Sequence, residues 1–143
     1  MMRRILVLPL LLAASLATAG EVDQSRQNSG LAADPAFAAF DDGRYVTALD
    51  LARKQAAAGE AAAHTLVGRI YAEGLGVDRD LEEAAQWYKK GADRGDTNAM
   101  FALGMLHLSG SGVAKSHKVA ADWLERAAGQ GHSLAAYNLA LLY

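Results

Sequence analysis

Four histidines, His64, His107, His117 and His132, are the side chains of this chain best suited to metal ligation or proton transfer at neutral pH. None sits in an H-E-x-x-H motif and none lies four residues from another, so no pair shares a helix face as a zinc or acid/base site needs. Asp78 and Asp80 follow Gly74 and Gly76, a spacing that invites a phosphate or calcium reading. Those glycines do not follow a strand pattern and the twelve-residue calcium loop is missing, so the aspartates are read as helix caps. No G-x-S-x-G, S-x-x-K or P-loop occurs. The absence of cysteine removes thiol nucleophiles, zinc-thiolate sites, disulfides and a lipid-bearing N-terminal cysteine. The expectation is a protein that is not an enzyme, with no catalytic residues, no cofactor and no metal.

Length, charge and composition narrow the class of molecule further. The chain has 143 residues, 14 basic against 16 acidic, for a net charge of −2. That is the size of one small domain. A balance this near zero, without blocks of like charge, lacks the footprint of a nucleic-acid binder or a polybasic membrane-surface protein. The expected partner is therefore another protein or peptide. The chain holds 31 alanines and 14 glycines, nearly a third of its residues, a composition that favours helices packed closely together.

The N-terminus reads as an address. Arg3 and Arg4, an apolar run from Ile5 to Leu16 and the small-x-small triplet Ala17-Thr18-Ala19 stand in the order of a secretory signal peptide. The run falls short of the roughly 20 apolar residues that a spanning helix needs. Cleavage after Ala19 is expected, giving a periplasmic or secreted chain with no stable membrane anchor. Residues 20–34 are polar and without period, and are read as a flexible leader.

From there a period of 36 residues organises the chain. Segments 60–95 and 96–131 share ten identities in 36 positions, among them Gly68/Gly104, Gly74/Gly110, Gly76/Gly112, Val77/Val113, Trp87/Trp123 and Gly95/Gly131. Within each unit the spacing reads as two helices. Ala63, Val67 and Tyr71 form one face of the first helix, followed one and two periods later by Ala99, Leu103, His107 and by Ala135, Leu139, Tyr143. Leu81, Ala84, Ala85, Tyr88 and Ala92 form the facing stripe, with Ala120, Ala121, Leu124 and Ala128 after it. The G-x-G-V segments supply a left-handed helix stop and let the chain reverse. Asp80 with Glu83 predicts a reciprocal cap on the second helix, and Ser116 its equivalent. Gly68 and Gly104 are expected to let the two backbones approach opposite the alanines, with Trp87 and Trp123 filling the space left. One unit cannot bury its own apolar face, so the units must stack.

A helix carrying A-x-x-x-V-G-x-x-Y, then G-x-G-V, then a capped helix with A-x-x-W-Y-x-x-x-A and a closing glycine, resembles the Sel1-like repeat, a relative of the tetratricopeptide repeat. Ala63, Gly68, Tyr71, Gly74, Gly76, Val77, Asp80, Ala84, Trp87, Tyr88, Ala92 and Gly95 carry the resemblance. It implies an all-α fold, with 36-residue helix-turn-helix repeats stacked as a short right-handed α-solenoid. The divisions are a degenerate capping repeat at 35–59, full repeats at 60–95 and 96–131, and the first helix of an incomplete repeat at 132–143. It also implies an adaptor or regulatory scaffold of the exported bacterial type, serving an envelope or secreted partner. Cysteine-rich relatives associated with β-lactam binding or hydrolysis supply an alternative, although their cysteines are missing here.

In this class of solenoid the first helices line the concave face. The positions beside their core stripe are Thr65 and Arg69, then Asn98, Phe101, Met105 and Leu108, then Tyr137 and Leu141. They grade from polar to apolar, which suits a bound peptide or helix with Arg69 on a carboxylate. The other reading is that Phe101, Met105 and Tyr137 pack between neighbouring repeats. The apolar end Leu139-Ala140-Leu141-Leu142-Tyr143 has three readings: a fragment of a longer repeat protein, a helix that caps itself, or a surface for a partner or a second copy.

Overall fold

The computed structural model describes residues 34–143, so the expected signal peptide at 1–19, and the leader apart from Asp34, lie outside the described residues. Among the described residues there are seven helices and no strand. They are α1 (Pro35–Asp41), α2 (Tyr45–Ala57), α3 (Ala61–Glu73), α4 (Leu81–Asp93), α5 (Thr97–Ser109), α6 (His117–Gly129) and α7 (Ser133–Leu142). Each packs on the next in sequence, and α3 also touches α5. That is the contact pattern of helical hairpins stacked as a solenoid, with the 36-residue repeat read from the sequence.

Glycine decides where helices end. Gly74 and Gly110 close α3 and α5 in the left-handed conformation, at φ of 65° and 69°, each giving its N–H to the carbonyl four residues back. The chain then turns, and the N–H groups of Asp80 and Ser116 return to the carbonyls of Tyr71 and His107, both at 3.0 Å. The side chains of these residues cap α4 and α6, Asp80 accepting from the Glu83 N–H at 3.0 Å and Ser116 from that of Val119 at 3.2 Å. The Asp80 N–H is thereby already spent, so Glu83 does not reach back as expected. Its carboxylate instead accepts from the Trp87 indole N–H at 3.0 Å.

Two apolar clusters run through the stack, both built largely of alanine. One gathers Ala36, Ala39, Ala48, Leu49, Ala52, Leu66, Val67 and Ile70, with Val77 and Trp87 half-buried against it. The other centres on Ala84, Ala85, Tyr88, Met100, Leu103, Trp123, Leu124 and Ala127, with Val113 against it. The glycines of the first helices do allow close approach, at Gly104 such that an added methyl would stand 3.3 Å from the Ala120 carbonyl, but tryptophan is not the filler. A methyl on Gly68 would stand 2.8 Å from the Tyr88 ring, and one on Gly104 would stand 3.0 Å from the Leu124 side chain. Tyr88 and Leu124, one position beyond each tryptophan, occupy the space. Trp123 is 8% exposed, whereas Trp87 is only half-buried. The second-helix stripe also includes Gly91 and Ala127, both buried, a position the period-based reading left out. A methyl on Gly91 would meet the Thr65 hydroxyl at 2.7 Å and Ala99 at 3.1 Å.

Repeats meet through the second glycine of each G-x-G. Gly76 lies on Tyr45 and Val46 in the first turn of α2, and Gly112 on Leu81 and Glu82 in the first turn of α4. A methyl at Gly112 would land on the Leu81 carbonyl. Gly131 shares the left-handed φ but has open space around it. Gly112→Ala and Gly131→Ala therefore carry the same backbone strain, and only the first must separate two repeats. Gly112→Ala is expected to cost about 1–3 kcal/mol more in denaturant unfolding; equal costs would show that the loop does not depend on this approach.

Burial pushes the Tyr88 hydroxyl up to about 12, the Glu73 carboxylate adding to the rise and Arg69 opposing it. The unfolded chain then ionises first, so stability present below pH 10 is lost as pH rises toward about 12. Denaturation midpoints across that window should fall more steeply for the wild type than for Tyr88→Phe. A parallel decline would mean that burial does not hold the hydroxyl neutral.

Candidate partner-binding face

The first helices of the hairpins, α3, α5 and α7, carry all eight residues expected to bind a partner, and the period places Thr65, Phe101 and Tyr137 at one register and Arg69, Met105 and Leu141 at the next. Their surroundings differ. Thr65 donates its hydroxyl to Asp96 Oδ2 at 2.9 Å, while Oδ1 of the same carboxylate accepts the Asn98 N–H at 2.8 Å and the Ala99 N–H at 3.4 Å. Asp96 thus caps α5 and ties it to α3. Arg69 gives Nε to Glu73 Oε1 at 2.9 Å, one turn on, and its guanidinium lies 4.7 Å from the Phe40 ring of α1.

Asn98 and Phe101 are both held by His132. The Asn98 amide oxygen meets Nε2 at 3.1 Å, the Ala135 N–H donates to Nδ1 at 3.2 Å, and the ring stacks on Phe101 at 4.8 Å. Accepting at Nδ1 and donating from Nε2 assigns the neutral tautomer. His132 is the N-cap of α7, a role that its residue type did not advertise. Phe101 and Leu108 pack against the second apolar cluster and Met105 is half-buried. Tyr137 and Leu141, with Leu134, are 64%, 68% and 58% exposed. At i, i+3 and i+7 they form one stripe on α7.

The remaining histidines are packed or capping groups. His64 is buried, its Nδ1–H on the Glu60 carbonyl at 2.7 Å and its ring 5.8 Å from that of Trp87. His107 turns Nδ1–H to the Ala114 carbonyl at 3.0 Å, and His117 is exposed at the start of α6. Among the described residues no three His, Asp or Glu side chains converge as metal ligands, and no helix is long and apolar enough to cross a membrane. Two polar links between hairpins were not foreseen. Arg53 donates to the Tyr71 hydroxyl, and two periods later the Tyr143 hydroxyl donates to Glu125 Oε1 at 2.7 Å. The period contained the signal, since 53 and 125 share a register, as do 71 and 143.

The Sel1 repeat family model matches residues 61–96 and 97–132, half of the chain. The chain belongs to the Sel1 repeat family. Among solved structures this Sel1 repeat chain is similar to a Sel1 repeat protein from Oxalobacter formigenes, with 33% identity over 75% of this chain and 44% of that one, at a TM-score of 0.72. It is similar to c5321, a protective antigen of uropathogenic Escherichia coli strains with an SLR fold, at 29% identity over 69% of this chain and 21% of that one, TM-score 0.67. It also resembles cysteine rich protein B of Helicobacter pylori, at 28% identity over 64% and 69% of the two chains, TM-score 0.62. The chain thus spans less than half the length of the first two. No curated protein matches it in sequence. Sel1 repeat proteins are protein-interaction scaffolds.

The His132 cap gives this Sel1 repeat chain a local test. In His132→Ala, amides in 133–142 should exchange with solvent about fivefold to tenfold faster, while those in 97–129 change little. Equal acceleration in both would show that the cap is not what holds α7.

Proposed function

We propose that this Sel1 repeat chain is an exported, non-enzymatic adaptor that binds a peptide or helix of an envelope or secreted partner on its concave face. The residues are Thr65, Arg69, Asn98, Phe101, Met105, Leu108, Tyr137 and Leu141. The observation that carries the reading is the exposed stripe of Leu134, Tyr137 and Leu141 on α7. Large apolar groups aligned on one helix face and left in water are the mark of a contact surface. Half-buried Phe101, Met105 and Leu108 one period earlier would extend it with apolar floor. At the polar end, Arg69 faces Glu73 in an exposed pair, and such pairs contribute little to stability. Its guanidinium is free to exchange that carboxylate for a partner's, which is bidentate and planar recognition in a place where lysine would serve less well. Thr65 and Asn98, already bonded within the fold, would set the shape of the surface more than its affinity. Export is supported by the Arg3-Arg4, Ile5–Leu16 and Ala17–Ala19 order of the N-terminus.

Phe101 is stacked on His132, so an acidic substitution there would disturb the fold; Tyr137→Asp with Leu141→Asp is the cleaner probe. In-cell crosslinking from the exported compartment should recover a partner with the wild type and lose at least tenfold of it with the double variant, whose melting curve stays unchanged. Recovery of the same partner in equal amount would move binding off this face.

A further inference from the structure

We propose that the cleft between α4 and α5 is a docking site for a tyrosine side chain of a partner polypeptide. This rests on the protein-binding reading above but not on the α3, α5 and α7 face, none of whose eight residues lines the cleft.

The proposal comes from three equivalent junctions that the period places at residues 53, 89 and 125 on the second helices and at 71, 107 and 143, on or directly after the first helices that follow. At the first, Tyr71 fills the junction, its hydroxyl bonded to Arg53, whose guanidinium lies 5.8 Å from the ring. At the third, Tyr143 bonds Glu125 across the same interval. The middle junction lacks the phenol. His107 stands in its place with Nδ1–H turned to the Ala114 carbonyl, and Lys89 spends its ammonium on both oxygens of Asp93 at 2.8 and 2.7 Å. A second side chain is also shortened, because Ala85 occupies the register of buried Leu49. A methyl in place of the Leu49 side chain and an imidazole in place of the Tyr71 phenol accompany a cleft of about 510 Å³.

The shape and chemistry of that cleft are those of the missing group. Ala85, Leu103 and Val113 offer an apolar floor for a ring, while Glu82 stands at the rim as an acceptor for a hydroxyl. His107, with Nδ1–H committed, keeps Nε2 as an acceptor. The volume is within the range of small-ligand sites, about 300–1,000 Å³. The chain's own Tyr71 and Leu49 occupy the first junction, whereas the middle one lacks both, and at the third Tyr143, itself 85% exposed, reaches Glu125. A tyrosine, large, stiff and amphipathic, is also the type of anchor that protein interfaces favour.

The test uses the isotope-labelled full chain and three probes: p-cresol, the peptide acetyl-Gly-Ser-Tyr-Ser-Gly-amide, and the same peptide with alanine for tyrosine. Expected are saturable amide shifts at Ala85, Lys89, Leu103, His107 and Val113 with p-cresol and the tyrosine peptide, at dissociation constants on the order of 1 mM, and none with the alanine peptide. His107→Tyr and, separately, Ala85→Leu install the residues of the first junction and should each weaken binding at least tenfold without lowering the melting temperature. The shifts should persist in Tyr137→Asp/Leu141→Asp, which separates failure of the cleft from failure of the exposed face. The proposal is overturned by the absence of shifts with both phenols, by binding that survives both cleft-filling variants, or by p-cresol binding while the tyrosine peptide does not.

Discussion

Close approach of one backbone to another is the constraint on which the rest of this molecule depends. Gly68 and Gly104 bring the two helices of a hairpin together over Tyr88 and Leu124, and Gly76 and Gly112 set each loop directly on the first turn of the preceding second helix. A core made mainly of alanine buries little area per residue. It compensates by short interaxial distances, at which many weak dispersion contacts are made at once. The glycines make those distances available, and both full repeats keep them while the polar surface drifts.

Because the repeats touch over limited areas, polar links at their junctions carry much of the register. Asp96 is the clearest case: one carboxylate caps α5 through two backbone N–H groups and holds Thr65 of the preceding hairpin. His132 does the same for α7 with an imidazole, satisfying Ala135 on one side and Asn98 on the other. Both are helix N-caps recruited as inter-repeat ties, so a helix end and a repeat boundary are stabilised by the same atoms. Glu60 holds the equivalent place before α3 without a side-chain cap, and its carbonyl receives buried His64 instead.

The same economy shapes the surface. Residues at one register of the repeat play different parts in successive units, because each meets a different neighbour. Thr65 is bonded inside the fold, Phe101 is stacked on His132, and Tyr137 stands in solvent. The side of the stack that carries the exposed apolar groups is therefore graded along the solenoid.

Sequence alone determined the architecture, for a physical reason: helix stops, caps and apolar stripes are local, and a period of 36 repeats them so that each unit corroborates the next. The left-handed glycines, the Asp80 and Ser116 caps and the helix order were all legible in this way. Tertiary structure decided what depended on distance across the stack. Trp87 and Tyr88 are adjacent and both aromatic, and only the packing of α3 on α4 chose Tyr88 for the space beside Gly68 and left Trp87 half-buried. Glu83 could reach backward to a cap or forward to an indole, and the prior use of the Asp80 N–H by Tyr71 settled it. Of the eight surface positions, residue type predicted none of the partners of Thr65, Arg69 and Asn98, because Asp96, Phe40 and His132 lie in other units of the repeat. The middle cleft is the extreme case: His107 and Ala85 are unremarkable letters, and their meaning appears only when Tyr71 and Leu49 are seen filling the same place one unit earlier.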